Sequence, residues 1–229
     1  MRKLLYFVLM MIVFNLYADG ASDCELKCPS NEYCQYIEKN ACELSITEIT
    51  EIADMYVIGK CVNKDYRSAI RWYDQAAVYG DLESIDNIIK LLKRYDEPSK
   101  ELVLWETLKV YLNGNALSSE NKRLDAGLEK LLIDKLNSIA NNLYVGAMLA
   151  LERIYEKNGH DYYIDAMKWL LIAEEVSIKI TNDKSKVDYI RKRITYLANK
   201  MTTPEIRSAN NDAISWLEAL NRNVGSDCN

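Results

Sequence analysis

Two stretches of this chain repeat one pattern, and that self-similarity restricts the fold more than any other feature. Residues 52–80 read IADMYVIGKCVNKDYRSAIRWYDQAAVYG, and residues 148–175 read MLALERIYEKNGHDYYIDAMKWLLIAEE. Tyr56, Gly59, Ala69, Trp72 and Ala76 in the first correspond to Tyr155, Gly159, Ala166, Trp169 and Ala173 in the second. The steps from Ala to Trp to Ala are identical, whereas the stretch from Tyr to the first Ala is two residues shorter in the second copy. Steps of three and four place these side chains on one helix face. Small Ala residues let neighbouring helices approach closely, and Tyr and Trp fill the gaps between them. A recurring helix–turn–helix unit is the mark of an α-solenoid.

The rest of the sequence agrees with that reading. Only 8 Gly and 3 Pro are spread over 229 residues, too few for a turn-rich β-sandwich or barrel. Ile49, Ile52, Ala53, Tyr56 and Val57 predict a first helix from Ser45 to Ile58. A second carries Ala69, Trp72, Tyr73, Ala76 and Ala77 and stops at Gly80. Ile85, Ile88, Ile89, Leu91 and Leu92 make a third, before Pro98. Leu102, Trp105, Leu108 and Leu112 make a fourth, ended by Gly114, and Leu124, Leu128, Leu131, Leu132 and Leu136 a fifth. Further helices are expected near 143–157, 162–178, 185–200 and 204–221, the last with Thr203 as cap and Pro204 as first helical residue. The expected fold is all-α: a right-handed α-solenoid of antiparallel helix pairs, about 8–9 helices, with a disulfide-stapled N-terminus.

Arg2 and Lys3 precede an apolar run from Leu4 to Phe14, followed by the small residue Ala18. This is the pattern of a cleaved secretory signal over residues 1–18, with cleavage after Gly20 as the alternative, and the run is too short for a comfortable span. Export implies a periplasmic or secreted protein. Beyond the signal we expect a Cys-rich segment at 19–44, a repeat domain at 45–223 and a tail at 224–229. Removing Arg2 and Lys3 leaves 27 Lys and Arg against 34 Asp and Glu, a charge of −7. That balance disfavours nucleic acid and anionic lipid as partners.

Cys24, Cys28, Cys34, Cys42, Cys61 and Cys228 all lie beyond the signal. An even count in an exported chain reads as disulfides, with 15 possible connectivities. Their spacing lacks the paired short steps of a zinc site. A straight helix over 45–58 would be roughly 20 Å long, which places Cys42 and Cys61 too far apart to bond. Cys28 or Cys34, on a segment folding back along that helix, suits Cys61 better. Cys228 either folds back to an N-terminal Cys or pairs between chains. His160 is the single His, which removes most His-based chemistry. No nucleophile elbow, Walker loop, HExxH or dinucleotide fingerprint is present. We therefore expect no enzyme activity, no metal and no cofactor.

Tyr56, Gly59, Val62, Asp65, Ala69, Trp72, Tyr73, Ala76, Ala77 and Gly80 together resemble the Sel-one-like repeats, relatives of the tetratricopeptide repeats. Ala53 and Cys61 stand where that family has Gly. The unit at 81–114 is degenerate, with Trp105 in place but Leu102 and Lys109 where the family has Ala, and residues 115–142 match nothing in it. The segment at 201–217 is similar to the closing helix of many such proteins. The resemblance implies a protein-binding scaffold with a concave surface. Exported members include envelope adaptors and immunity proteins that neutralise secreted toxins such as type VI secretion lipases; an acidic inhibitor of that kind would be steered to a basic partner surface. The resemblance thus implies an immunity protein first and an envelope scaffold or regulatory adaptor second. More remotely, it implies a β-lactam-binding or β-lactamase-like cysteine-rich repeat protein, although the SxxK, SDN and KTG set is absent. Tyr56, Tyr66, Trp105, Tyr111 and Tyr155 are the partner-binding candidates, because Tyr and Trp dominate interface hot spots. Oligomeric state stays open.

Overall fold

The computed structural model describes residues 44–60, 62–95, 99–114, 125–181 and 183–223. The proposed signal, the Cys-rich segment, all six cysteines and Leu124 lie outside them. The described residues form nine α-helices and no strand: α1 (Ile46–Ile58), α2 (Tyr66–Val78), α3 (Leu82–Tyr95), α4 (Lys100–Leu112), α5 (Ala126–Asn141), α6 (Val145–Lys157), α7 (Tyr163–Val176), α8 (Lys184–Ala198) and α9 (Thr203–Asn223). A 3₁₀ turn, His160–Tyr162, joins α6 to α7, and a π-helical turn, Ser177–Thr181, extends α7. None of the described helices is long and apolar enough to cross a membrane.

Local chemistry sets the helix starts. Ser45 and Glu48 form a reciprocal capping box on α1, which satisfies two of the orphan N–H groups there. Asp65 caps α2 by accepting from the Arg67 N–H at 2.9 Å. Ser99, Asp125 and Asp183 do the same for α4, α5 and α8. At the other end of α1, Gly59 takes φ 77° and its N–H reaches the Met55 carbonyl at 2.8 Å. A left-handed residue closes the helix there, a conformation glycine adopts without a steric cost. The start of α9 differs by one residue from the sequence expectation. Thr202 is the cap, its N–H and hydroxyl both donating to Glu205. Thr203 is the first helical residue and Pro204 the second. The missing proline N–H still costs nothing there, because first-turn N–H groups have no helical acceptor.

The two repeat units fold alike, as antiparallel helix pairs α1–α2 and α6–α7. Ala69, Ala76, Ala166 and Ala173 are fully buried, so the helices approach at these positions. Tyr56 and Tyr155 are half-buried against the same core. Trp169 is buried where Trp216 of α9 meets its edge, ring centroids 5.6 Å apart at 69°, while Trp72 stays half-buried. α7 packs against α6, α8 and α9, and α4 reaches past α5 to touch α6. That alternation of nearest and next-nearest contacts winds helix pairs into a solenoid. Glycine matters once more at Gly80, φ 86°, which lies against the Tyr144 ring. A β-carbon there would overlap that ring. One expected core position is not core: Leu131 of α5 is 49% exposed. Leu128, Leu132, Leu136 and Ile139 already fill the buried face, and Leu131 falls outside that stripe.

Candidate protein-interaction surface

The five sequence candidates occupy separate places. Trp105 requires a correction: it is 3% exposed on α4, with the Lys135 ammonium 4.9 Å from its ring centre. Lys135 is held there by Asp74 of α2 at 2.6 Å. A ring this deeply buried is packed in the core rather than presented to a partner. Tyr56 fills space between α1 and its neighbours. Tyr66 opens α2 and stacks on Tyr95, centroids 3.5 Å apart, with Lys64 over the ring. The hydrogen bond from Lys64 holds the Tyr66 hydroxyl below the usual tyrosine range. Tyr111 is half-buried, and its carbonyl accepts from Arg153 at 2.6 Å; burial pushes its hydroxyl up. Tyr155 stacks on Tyr162 at 6.3 Å. Among the described residues no hydrogen bond or ring contact joins any two of the five.

Tyr155 leads instead to a cluster that pattern reading missed. The α6–α7 turn supplies His160, Tyr162 and Tyr163, and the end of α8 supplies Tyr196 and Lys200. His160 and Tyr163 lie 5.0 Å apart by ring centres. The Lys200 ammonium sits over both Tyr163, at 5.7 Å, and Tyr196, at 4.0 Å, and donates to the Tyr196 hydroxyl. His160 Nδ1 lies 3.7 Å from Glu205, the residue that also closes the α9 cap. Tyr162 and Tyr196 are each 44% exposed. Aromatic rings on a fixed base, with cations between them, are the residue types that anchor protein interfaces.

The base is a charge network linking α6 to α8. Arg193 donates to the buried Glu152 at 2.6 Å and also to Glu156. Lys200 reaches Glu156 at 3.3 Å. Burial pushes the Glu152 carboxyl above the usual range, and Arg193 offsets this only in part. Burial acts on Glu156 too, but Arg193 and Lys200 together outweigh it and hold its carboxyl low. Arg193 is itself held charged against burial by the two carboxylates. These partners lie about forty positions apart in sequence, so no local spacing announces them.

A concavity of about 260 Å³ opens between α1, α2 and α3. Asp54, Asp81 and Glu83 line it, with the Tyr73 hydroxyl donating to Asp54. Among the described residues no group of three or more His, Cys, Asp or Glu is placed to hold a metal ion. Glu174 binds Arg191 at 2.6 Å and Glu175 binds Lys179 at 2.5 Å.

No family model and no curated protein matches the sequence. Among solved structures, the chain is similar to a protective antigen of uropathogenic Escherichia coli displaying an SLR fold. The identity is 20%, the TM-score is 0.40, and the match covers 85% of this chain and 44% of that one. This chain therefore spans less than half the length of that neighbour.

Proposed function

We propose that this chain is a protein-binding helical-repeat scaffold. The observation that carries the reading is the surface just described: partly exposed tyrosines and cations on two adjacent turns, fixed from beneath by a buried ion network. A preorganised aromatic surface loses little side-chain entropy when a partner docks.

At the finer level, we propose an exported immunity-type protein that binds and neutralises one secreted toxin, in the periplasm or outside the cell. The leader-like N-terminus and the six cysteines support export. The test is co-purification of the tagged mature chain from its own cells under oxidising conditions. One stoichiometric toxic hydrolase, harmless while bound, is the expected result. A spread of envelope proteins would replace the immunity role by that of an envelope scaffold or adaptor. Recovery of no protein would overturn the scaffold reading itself.

A further inference from the structure

Two tyrosines hold an arrangement that the proposed interaction surface does not use. Tyr66 is the first residue of α2 and Tyr95 the last of α3. Packing of α2 on α3 brings these two ends together, although they lie far apart in sequence. The rings stack with centroids 3.5 Å apart and planes within 15° of each other. Ring pairs usually prefer an offset or edge-on contact at about 4.5–7 Å, so this pair is nearly superposed. The other stacked tyrosines, Tyr155 and Tyr162, are 6.3 Å apart.

The two hydroxyls lie at the same end of the stack, because the Tyr66 oxygen accepts from both Tyr95 and Lys64. With the rings superposed and the oxygens together, the carbon ortho to each hydroxyl faces its counterpart at about van der Waals contact. Lys64 and Arg94 flank the pair, 5.2 Å from the Tyr66 ring centre and 5.3 Å from that of Tyr95. Positive charge beside a ring opposes the loss of an electron alone, so a proton must leave with it. The two donors on the Tyr66 oxygen favour its ionised form, which yields an electron more easily than a neutral phenol. Tyr95 is 44% exposed, so an oxidant in solution can reach the pair. Each side chain stands at a helix end, which leaves the rings room to tilt.

We propose that Tyr66 and Tyr95 form an oxidative modification site, at which hydrogen peroxide activated by a haem peroxidase joins the two rings as dityrosine. Each phenol gives up one electron and its hydroxyl proton. The two phenoxyl radicals form one carbon–carbon bond between their ortho positions. The hydrogen on each of those carbons then moves to its own ring oxygen. One hydrogen peroxide takes both electrons and both protons and leaves as two waters. The product ties the start of α2 to the end of α3. Among the described residues the α1–α2 unit has repeat neighbours on one side only, and units so placed open most easily. A covalent strap at this point therefore restrains the part of the solenoid most prone to opening. The proposal does not rest on the scaffold reading.

The experiment treats the dilute mature chain with a haem peroxidase and limiting hydrogen peroxide. The readouts are the blue fluorescence of dityrosine and the masses of the monomer and its proteolytic peptides. We expect a monomer lighter by two hydrogens, in which the peptides holding Tyr66 and Tyr95 are joined. Tyr66→Phe and Tyr95→Phe should each lower the yield of that monomer at least about tenfold, because coupling depends on the proximity of both phenols. Both keep the ring and should melt like wild type. Tyr79→Phe, an exposed tyrosine outside the stack, should leave the yield unchanged. Unfolding in urea before oxidation should lower it as the stack is lost. Joining at other positions, a monomer cross-link that survives Tyr95→Phe, coupling only between chains, or full yield from the unfolded chain would each overturn the assignment. So would no coupling while N-acetyltyrosine amide in the same mixture couples. None of these outcomes bears on partner binding, so the scaffold reading is tested separately.

Discussion

Replacing Arg193 with Met keeps the length of the side chain and removes its charge. Glu152, whose side chain is 1% exposed, then loses its counter-ion, and Glu156 keeps only Lys200. Removing one partner of a buried ion pair costs about 3–5 kcal/mol. The lower end applies, because Arg193 is itself 24% exposed and water can reach the pair. A loss of about 3 kcal/mol lowers the melting temperature of a chain this size by about 6–12 °C. The pH dependence separates this cause from lost packing. The folded-state pKa of Glu152 is raised, so its contribution is complete below the unfolded value and is lost as pH rises through the folded one. Without Arg193 the carboxyl rises further, and that loss deepens. Glu156 is lowered instead, so its stabilisation exists above the unfolded value and fades as pH falls through the folded one. Arg193→Met removes part of it. Both effects make the variant's deficit small near pH 4 and large near pH 8. Adding Glu152→Gln, which needs no counter-ion, should recover about 1–2 kcal/mol at pH 8. Circular-dichroism melts of wild type, single and double variants across pH measure all of this. A deficit equal at both pH values, or no recovery in the double variant, would refute the argument.

The remaining expectations use the same melts or a simple readout. Gly80→Ala puts a β-carbon into the Tyr144 ring at positive φ, and should cost about 1–3 kcal/mol. Tyr144→Ala in that background should restore part of the loss. Trp105→Ala removes a buried ring and should cost about 3–5 kcal/mol, with any binding defect tracking unfolding rather than contact. Tyr189→Ala and Tyr196→Ala should each stay within about 0.5–1 kcal/mol of wild type, so a binding defect in either is a contact effect. The mature chain isolated without reductant should show no thiol that reacts with a thiol reagent until it is unfolded and reduced; a reactive thiol in the unreduced chain would refute full pairing of the six cysteines.

Helix boundaries were legible because their chemistry is local. Ser45 and Gly59 sit within four residues of the N–H and carbonyl groups they satisfy, so spacing alone announces both ends of α1. The same holds for the paired Ala–Trp–Ala steps, which follow from which side of one helix must approach another. Thr203 was misplaced as a cap because Thr202 and Thr203 are adjacent and equally able to cap. The choice is made by Glu205, which must stand three residues after the cap to accept from it. Leu131 was misassigned for a related reason. A Leu-rich helix offers two adjacent apolar stripes, and only the neighbouring helices decide which one is covered.

The interaction surface was less legible, and Trp105 shows why. Residue type gives the same answer for a hot spot and for a core anchor, since both use large rings that leave water. What separates them is whether the ring is covered, and the cover of Trp105 includes Lys135, itself held by Asp74, respectively 30 positions after and 31 before it. Tyr196 has the opposite fate through equally remote partners. Its helix is turned by Arg193 meeting Glu152 and by Glu174 meeting Arg191. With Arg193 drawn to Glu152 and with Val187, Ile190 and Leu197 buried, positions 189, 192 and 196 face outward. The buried ion network therefore does more than join α6 to α8: it fixes the rotation of α8 and so selects which of its tyrosines a partner can meet. Arg193→Met should accordingly weaken partner binding at the surface formed by Tyr162, Tyr196 and Lys200 even at temperatures well below its melting point. If affinity there is unchanged in a folded Arg193→Met chain, the rotation of α8 is set by its apolar face alone.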